Sequence, residues 1–206
     1  RSAQMMFADP WLERWLGLIK QRAGEHPVLE IGCGYGDDTA TLAAAGLSVI
    51  GFDLSRTALA VARARVPSAR LERRDIREPL PGAGGYGVVL ASLSLHYFSW
   101  TETVRIVAGI RDALRPDGIL VCRLNSTEDK HFGAQGGIEL EPGLFDVKGQ
   151  PKRFFDRPAV QALFAEGWRI MSLDHVVTGK YLKPKAAWEV VVERIPSAVD
   201  PTRISS

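Results

Sequence analysis

Short apolar runs alternate along this chain with stretches whose apolar residues recur every three to four positions. The runs fall at residues 28–31, 48–52, 86–92 and 119–124. Between them the period is helical. Asp9 is placed to cap a first helix, Pro10 suits its first turn, Leu12, Trp15, Leu16 and Ile19 form one face, and Gly24 ends it. Ser55 caps a second helix that runs to about Val66 and stops at Pro67, and Thr101 caps another with Val104, Val107, Ile110 and Leu114 facing inward. Buried-type strands alternating with amphipathic helices predict a parallel sheet covered by helices on both faces.

Past Leu124 the pattern changes. Residues 125–153 are rich in glycine and polar side chains and carry no helical period, which predicts a long segment without regular structure, of the functional or mobile kind. Asp156 then caps a helix holding Val160, Leu163 and Phe164, with Gly167 as its stop. Residues 168–177 and 187–195 read as two final strands, the second with Trp188, Val190 and Val192 on one face, and a frayed tail follows from Pro196.

Composition narrows the class. At 206 residues and 46% hydrophobic content, the chain suits one sizeable α/β domain. No apolar run approaches the ~20 residues needed to span a bilayer, and Arg1-Ser2-Ala3-Gln4 does not open a signal peptide. Cys33 and Cys122 suggest neither a disulfide scaffold nor a zinc site, so a reduced, cytoplasmic compartment is expected. A net charge of +2 argues against a dedicated nucleic-acid binder.

The chemistry concentrates in Val28-Leu29-Glu30-Ile31-Gly32-Cys33-Gly34-Tyr35-Gly36. A strand there feeds a turn in which every second residue is glycine, the sequence of a backbone on which a ligand presses directly. Asp53, closing the next apolar run, can accept both hydroxyls of a ribose, so an adenosine ligand is the natural reading. The dinucleotide fingerprint G-x-G-x-x-G is not met, because Asp37 replaces its last glycine and Asp38 follows. Two carboxylates at a helix N-terminus suit the helix dipole but repel a pyrophosphate. They tolerate a ligand with a cationic head.

The E-I-G-C-G-Y-G element resembles motif I of the class I S-adenosylmethionine-dependent methyltransferases, and further elements resemble that family in order from Val28 to Leu124. The resemblance implies that Asp53 binds the ribose, that Leu54 packs on the adenine and that Asp75, followed by Ile76, accepts from the adenine amino group. It adds Glu30, Gly32, Cys33, Gly34, Gly36 and Ser92 to the cofactor site. Leu114-Arg115-Pro116-Asp117-Gly118-Ile119-Leu120 is similar to the family's L-x-P-G-G-x-L, and Pro-Asp-Gly makes an acceptable turn with Asp117 in place of a glycine. The implied fold is α/β, doubly wound and Rossmann-like. It has a mostly parallel seven-stranded sheet, an antiparallel C-terminal strand and helices on both faces. Within a single domain the expected parts are an N-terminal helix (1–26), a cofactor-binding core (27–124), a substrate-side cover (125–155), a helix with a closing hairpin (156–195) and a tail (196–206).

The implied reaction is in-line transfer of the S-adenosylmethionine methyl group to a small-molecule acceptor, leaving S-adenosylhomocysteine, without a metal. Alignment and exclusion of water suffice unless the nucleophile is protonated and weakly acidic. His96, just past the fourth strand, is the best-placed base and Tyr97 a candidate hydrogen-bonding partner, although His96 has the alternative of simply packing beneath the cofactor. On the cover, His131 and Arg153 are candidates to meet the acceptor. Ser92-Leu93-Ser94-Leu95 lacks the proline-rich element of amino-methylating DNA enzymes. A finer likeness points to bacterial tellurite- and thiopurine-resistance methyltransferases. The competing readings are a non-catalytic cofactor-binding module and an RNA or protein methyltransferase, the latter motivated by Lys148, Lys152, Arg153, Arg157, Lys180, Lys183 and Lys185. Such charges usually form a solvated face. A monomer or homodimer without membrane attachment is expected.

Overall fold

The computed structural model describes residues 10–134, 137–179 and 183–196. A 3₁₀ turn at Pro10–Trp15 runs into α1 (Leu16–Ala23). There follow β1 (Val28–Ile31), α2 (Asp37–Ala44), β2 (Val49–Asp53), α3 (Arg56–Arg65), β3 (Arg70–Arg73), β4 (Tyr86–Ser92), α4 (Trp100–Ala113) and β5 (Leu114–Asn125). After a second 3₁₀ turn at Lys130–Phe132 come β6 (Ile138–Glu141), β7 (Leu144–Val147), β8 (Gln150–Arg153), α5 (Arg157–Leu163), β9 (Trp168–Thr178) and β10 (Lys185–Arg194).

Seven strands form one sheet in the order β3-β2-β1-β4-β5-β10-β9. The first five pair in parallel, while β10 is antiparallel to both β5 and β9. Alternation along β4 shows why helices cover both faces. Val88 and Leu90 share a core with Ile19 and Ala23 of α1, and Val89 and Ala91 share another with Ile106 and Ile110 of α4 and Val160 of α5. The strand order reverses between β1 and β4, so the segments leaving these strands diverge and open a crevice beyond their C-terminal ends. The expected fold class holds.

Several local expectations hold as well. Ser55 and Asp156 cap α3 and α5, accepting from the backbone N–H of Ala58 and Ala159. Trp188, Val190 and Val192 lie together on one core face of β10. Asp9 and all but the start of the tail lie outside the described residues.

Two expectations are corrected. Helix α4 is capped by Ser99 rather than Thr101, because Ser99 and Glu102 exchange side-chain and backbone hydrogen bonds in a capping box, which satisfies two end N–H groups at once. The inward face therefore carries Ile106 together with Val107 and Ile110, and Val104 is left 43% exposed. The segment at 125–153 is not irregular either. It holds a three-stranded antiparallel sheet, β6-β7-β8, whose strands are short and bury only Leu144 and Arg153. Its turns fall at Gly143 and Gly149, the glycines that broke the helical period. Among the described residues no helix is long and apolar enough to cross a membrane.

Candidate functional site

The crevice is built from backbone first. Gly32 ends β1 at φ +72°, and its N–H donates to the Phe52 carbonyl at 2.8 Å. A Cβ at Gly32 would collide with Ser94, whose hydroxyl in turn donates to the Ile31 carbonyl at 2.8 Å. Gly34, at φ +53°, has open space where a side chain would stand. Its N–H donates to Asp53 Oδ2 at 2.9 Å, while Oδ1 accepts from the Ser55 N–H at 2.8 Å. One carboxylate thus fixes the glycine loop against the end of β2. Leu93, immediately after β4, is held at φ +55°, a costly conformation for leucine of the kind that gathers at functional sites.

These elements enclose a cavity of about 590 Å³, within the ~300–1,000 Å³ of small-molecule sites. Gly32, Gly34, Asp53, Leu54, Ile76, Ser92, His96 and Tyr97 line it. Residues 28–118 match a family model described as a methyltransferase domain. Residues 28–118 form a class I methyltransferase domain.

Among the relatives of this methyltransferase domain, an uncharacterised methyltransferase of Synechocystis sp. is 37% identical over 93 residues, 45% of this chain and 43% of that protein. A trans-aconitate 2-methyltransferase of Delftia acidovorans is 34% identical over 110 residues, 50% of this chain and 40% of its own length. The matches thus span less than half of these relatives. The structure is also similar to a 1,6-didemethyltoxoflavin-N1-methyltransferase of Burkholderia thailandensis solved with that compound and S-adenosylhomocysteine. The TM-score is 0.70 at 20% identity, covering 93% of this chain and 80% of the other. At that identity the likeness shows the fold alone. The finer likeness to tellurite- and thiopurine-resistance enzymes is not carried by these relatives.

Six of the expected residues lie outside the cavity lining of the methyltransferase domain. Glu30 is buried beneath the loop, where Oε2 accepts from the Thr39 hydroxyl at 2.6 Å. Burial, reinforced by the like charges of Asp38, Asp53 and Asp37, pushes its carboxyl up to about 8 against the pull of Thr39. Cys33 is buried against α3, and burial pushes its thiol up to about 12. Gly36 turns away from the cavity toward Ala62 of α3. Asp75 is gripped by the Arg77 guanidinium, which donates from Nε to Oδ1 at 3.0 Å and from Nη2 to Oδ2 at 2.6 Å and holds the carboxyl below its ordinary range. Arg77, two residues on, lies within its reach. His131 is exposed on the second 3₁₀ turn. Arg153 is buried and donates to the Phe98 carbonyl at 3.2 Å and the Pro142 carbonyl at 3.1 Å, with an ion pair to Glu141. Its guanidinium clasps the small sheet to the segment after β4.

The two acids at the start of α2 also have protein partners, Asp37 with Arg65 and Asp38 with the Trp11 indole N–H at 2.9 Å. Conversely, the cavity lining includes Ser94, Phe132, Lys152 and Lys185, which sequence reasoning did not assign to the site. Ser94 was signalled by its place two residues before His96. The lysines had been pooled with a solvated basic face, yet Lys185 is 5% exposed and Lys152 half-buried.

His96 is 2% exposed, and its Nδ1 is buried without a hydrogen-bond partner among the described residues. Burial first, then the nearby Lys185 and Lys152 ammonium groups, push the imidazole well below its ordinary value, so it is neutral. Its ring lies 4.2 Å from that of Tyr97, which is 44% exposed.

Proposed function

We propose that this chain transfers a methyl group from S-adenosylmethionine to a small-molecule acceptor. The observation that carries the reading is Asp53, a single carboxylate that fastens the bare backbone of Gly34 and stands in the cavity wall between that backbone and Leu54. Each of its oxygens keeps a second lone pair for a ribose hydroxyl. Leu54, 50% exposed, and Ile76 offer apolar flanks for a base. The carboxylates of Asp37, Asp38 and Asp53 around the loop favour a cationic head over a pyrophosphate. When bound, S-adenosylmethionine supplies an activated methyl group on a sulfonium.

The chain's own residues position and seal the acceptor. His96, neutral and with an unused buried nitrogen, is the group available to receive a proton from a protonated acceptor. Tyr97 stands beside it, and Phe132 and Lys152 wall the cavity from the 125–155 segment, which supports reading that segment as the substrate-side cover. A small acceptor fits a cavity of about 590 Å³ shared with the cofactor, and the compounds named for two of the relatives, trans-aconitate and 1,6-didemethyltoxoflavin, are of that class. The basic residues that favoured an RNA substrate include Lys152, Arg153 and Lys185, which fold inward here.

The test is thermal and calorimetric titration. S-adenosylmethionine and S-adenosylhomocysteine should each raise the melting temperature, a hundredfold excess over Kd contributing about 2.7 kcal/mol, while NAD should not. Stabilisation by NAD with none from either sulfur ligand would sink the reading.

A further inference from the structure

The glycine-loop end of the cavity holds charges of both signs, Asp53 and Arg74, whereas the other end holds two cations. Asp53 marks the glycine-loop end. At the other end Lys185, on β10, is almost wholly buried, and its ammonium donates to Asn125 Oδ1 at 2.9 Å and Asp129 Oδ2 at 2.8 Å. Lys152, on β8, donates to the Phe132 carbonyl at 3.1 Å. Its ammonium lies 5.9 Å from the centre of the Phe154 ring, and that of Lys185 lies 4.9 Å from the centre of the Phe132 ring. Among the described residues Asp129 is the carboxylate that pairs with Lys185, and its other oxygen accepts from the Ala186 N–H at 3.2 Å. Lys152 has no ion pair among the described residues. Two ammonium groups thus share one spent carboxylate at a half-enclosed wall.

Such an arrangement costs the protein free energy. Burial and the charge of Lys185 hold Lys152 below its ordinary value, with Asp129 opposing them. The two lysines also help keep His96 neutral. Buried excess charge of one sign is stabilised by a partner of the other, and a cavity lined by it concentrates that partner. The Lys185 ammonium has used two of its three protons on Asn125 and Asp129, and that of Lys152 one on Phe132, so both retain donors for a shared ligand.

We propose that Lys152 and Lys185 form an anion subsite beside His96, and that the acceptor of this chain is a small organic carboxylate held there. The inference rests on the proposed methyl transfer and narrows its substrate class. Lys152 is the ligand-facing charge, and Lys185 is anchored by Asn125 and Asp129 so that its position does not depend on the ligand. The neutral His96 imidazole sits next to the pair, where a carboxylate would offset the two positive charges it faces.

The experiment uses the full chain saturated with S-adenosylhomocysteine, titrated calorimetrically with trans-aconitate, citrate, succinate and benzoate, and with trimethyl trans-aconitate as the neutral counterpart. At least one carboxylate should bind, with an affinity that falls as salt rises, and the triester should not. Lys152→Gln should weaken that binding by roughly tenfold or more and leave the affinity for S-adenosylhomocysteine unchanged, while Lys152→Arg should retain most of it. Lys185→Gln leaves Asp129 buried without its cation, so the decisive variant is at Lys152. A protein that binds S-adenosylhomocysteine but no carboxylate, or binds the triester as tightly, overturns the subsite. So does unaltered carboxylate affinity in Lys152→Gln. Failure to bind S-adenosylhomocysteine at all would instead count against the methyltransferase reading.

Discussion

Replacing Glu30 by glutamine isolates one ionisation that the fold makes expensive. The side chain is 3% exposed at the end of β1 and accepts from Thr39 at 2.6 Å, while the carboxylates of Asp37 and Asp38 on α2 and of Asp53 on β2 share its sign. Its carboxyl is thereby raised from 4.5 to about 8, with burial the largest cause. Below pH 4.5 the group is protonated in both the folded and the unfolded chain, and the stability this provides is fully present. As pH rises toward 8 the unfolded chain releases its proton and the native chain does not, so stability falls; above about 8 both are ionised and the loss levels off. At about 1.4 kcal/mol per pH unit the loss reaches about 3 kcal/mol by pH 7 and about 5 kcal/mol across the window. Glutamine keeps an acceptor for the Thr39 hydroxyl and carries no proton to lose. Urea unfolding of both proteins from pH 5 to 9 should therefore show Glu30→Gln gaining on the wild type as pH rises, with a plateau above 8. Parallel stability curves between pH 5 and 8 would refute the reasoning.

Two other substitutions test the architecture of the site. Asp53→Ala removes the acceptor of both the Gly34 and Ser55 N–H groups, so it should lower stability by about 1–3 kcal/mol and weaken S-adenosylhomocysteine binding at least tenfold, read by urea unfolding and calorimetry. Arg153→Met strips the Phe98 and Pro142 carbonyls and Glu141 of their donor and should cost about 1–3 kcal/mol, with faster amide exchange across β6-β7-β8 than in the main sheet.

Much of the fold was legible because its signals are local. The run at 28–31 and its alternate glycines announce a strand ending in a ligand-facing turn, and Ser55 and Asp156 each cap the helix whose first residue follows them. Reciprocal bonding moved the α4 cap from Thr101 to Ser99, a choice that depends on Glu102 and not on the cap residue alone. The small sheet was illegible since its strands bury little on either face, so no alternation marks them. Side-chain destinations were hardest to read. Asp75, to which the resemblance gives an adenine contact, is held by Arg77, and Arg153 looks like a surface charge but spends its guanidinium inside the protein.

The segment between β5 and α5 is also built into the fold. Asn125 accepts from the Phe155 N–H through its carbonyl at 2.8 Å and from Lys185 through its side chain, and the Arg153 N–H donates to the His96 carbonyl at 2.7 Å. Asp129, 1% exposed, is the counter-charge of Lys185. Asn125 thus both fastens the segment to the main sheet and, with Asp129, holds the buried cation in the cavity wall. Removing the segment would take from the Lys185 ammonium the carboxylate of Asp129, its ionic partner among the described residues. A wall built in this way ties the proposed subsite to folding, which a detachable lid would not do.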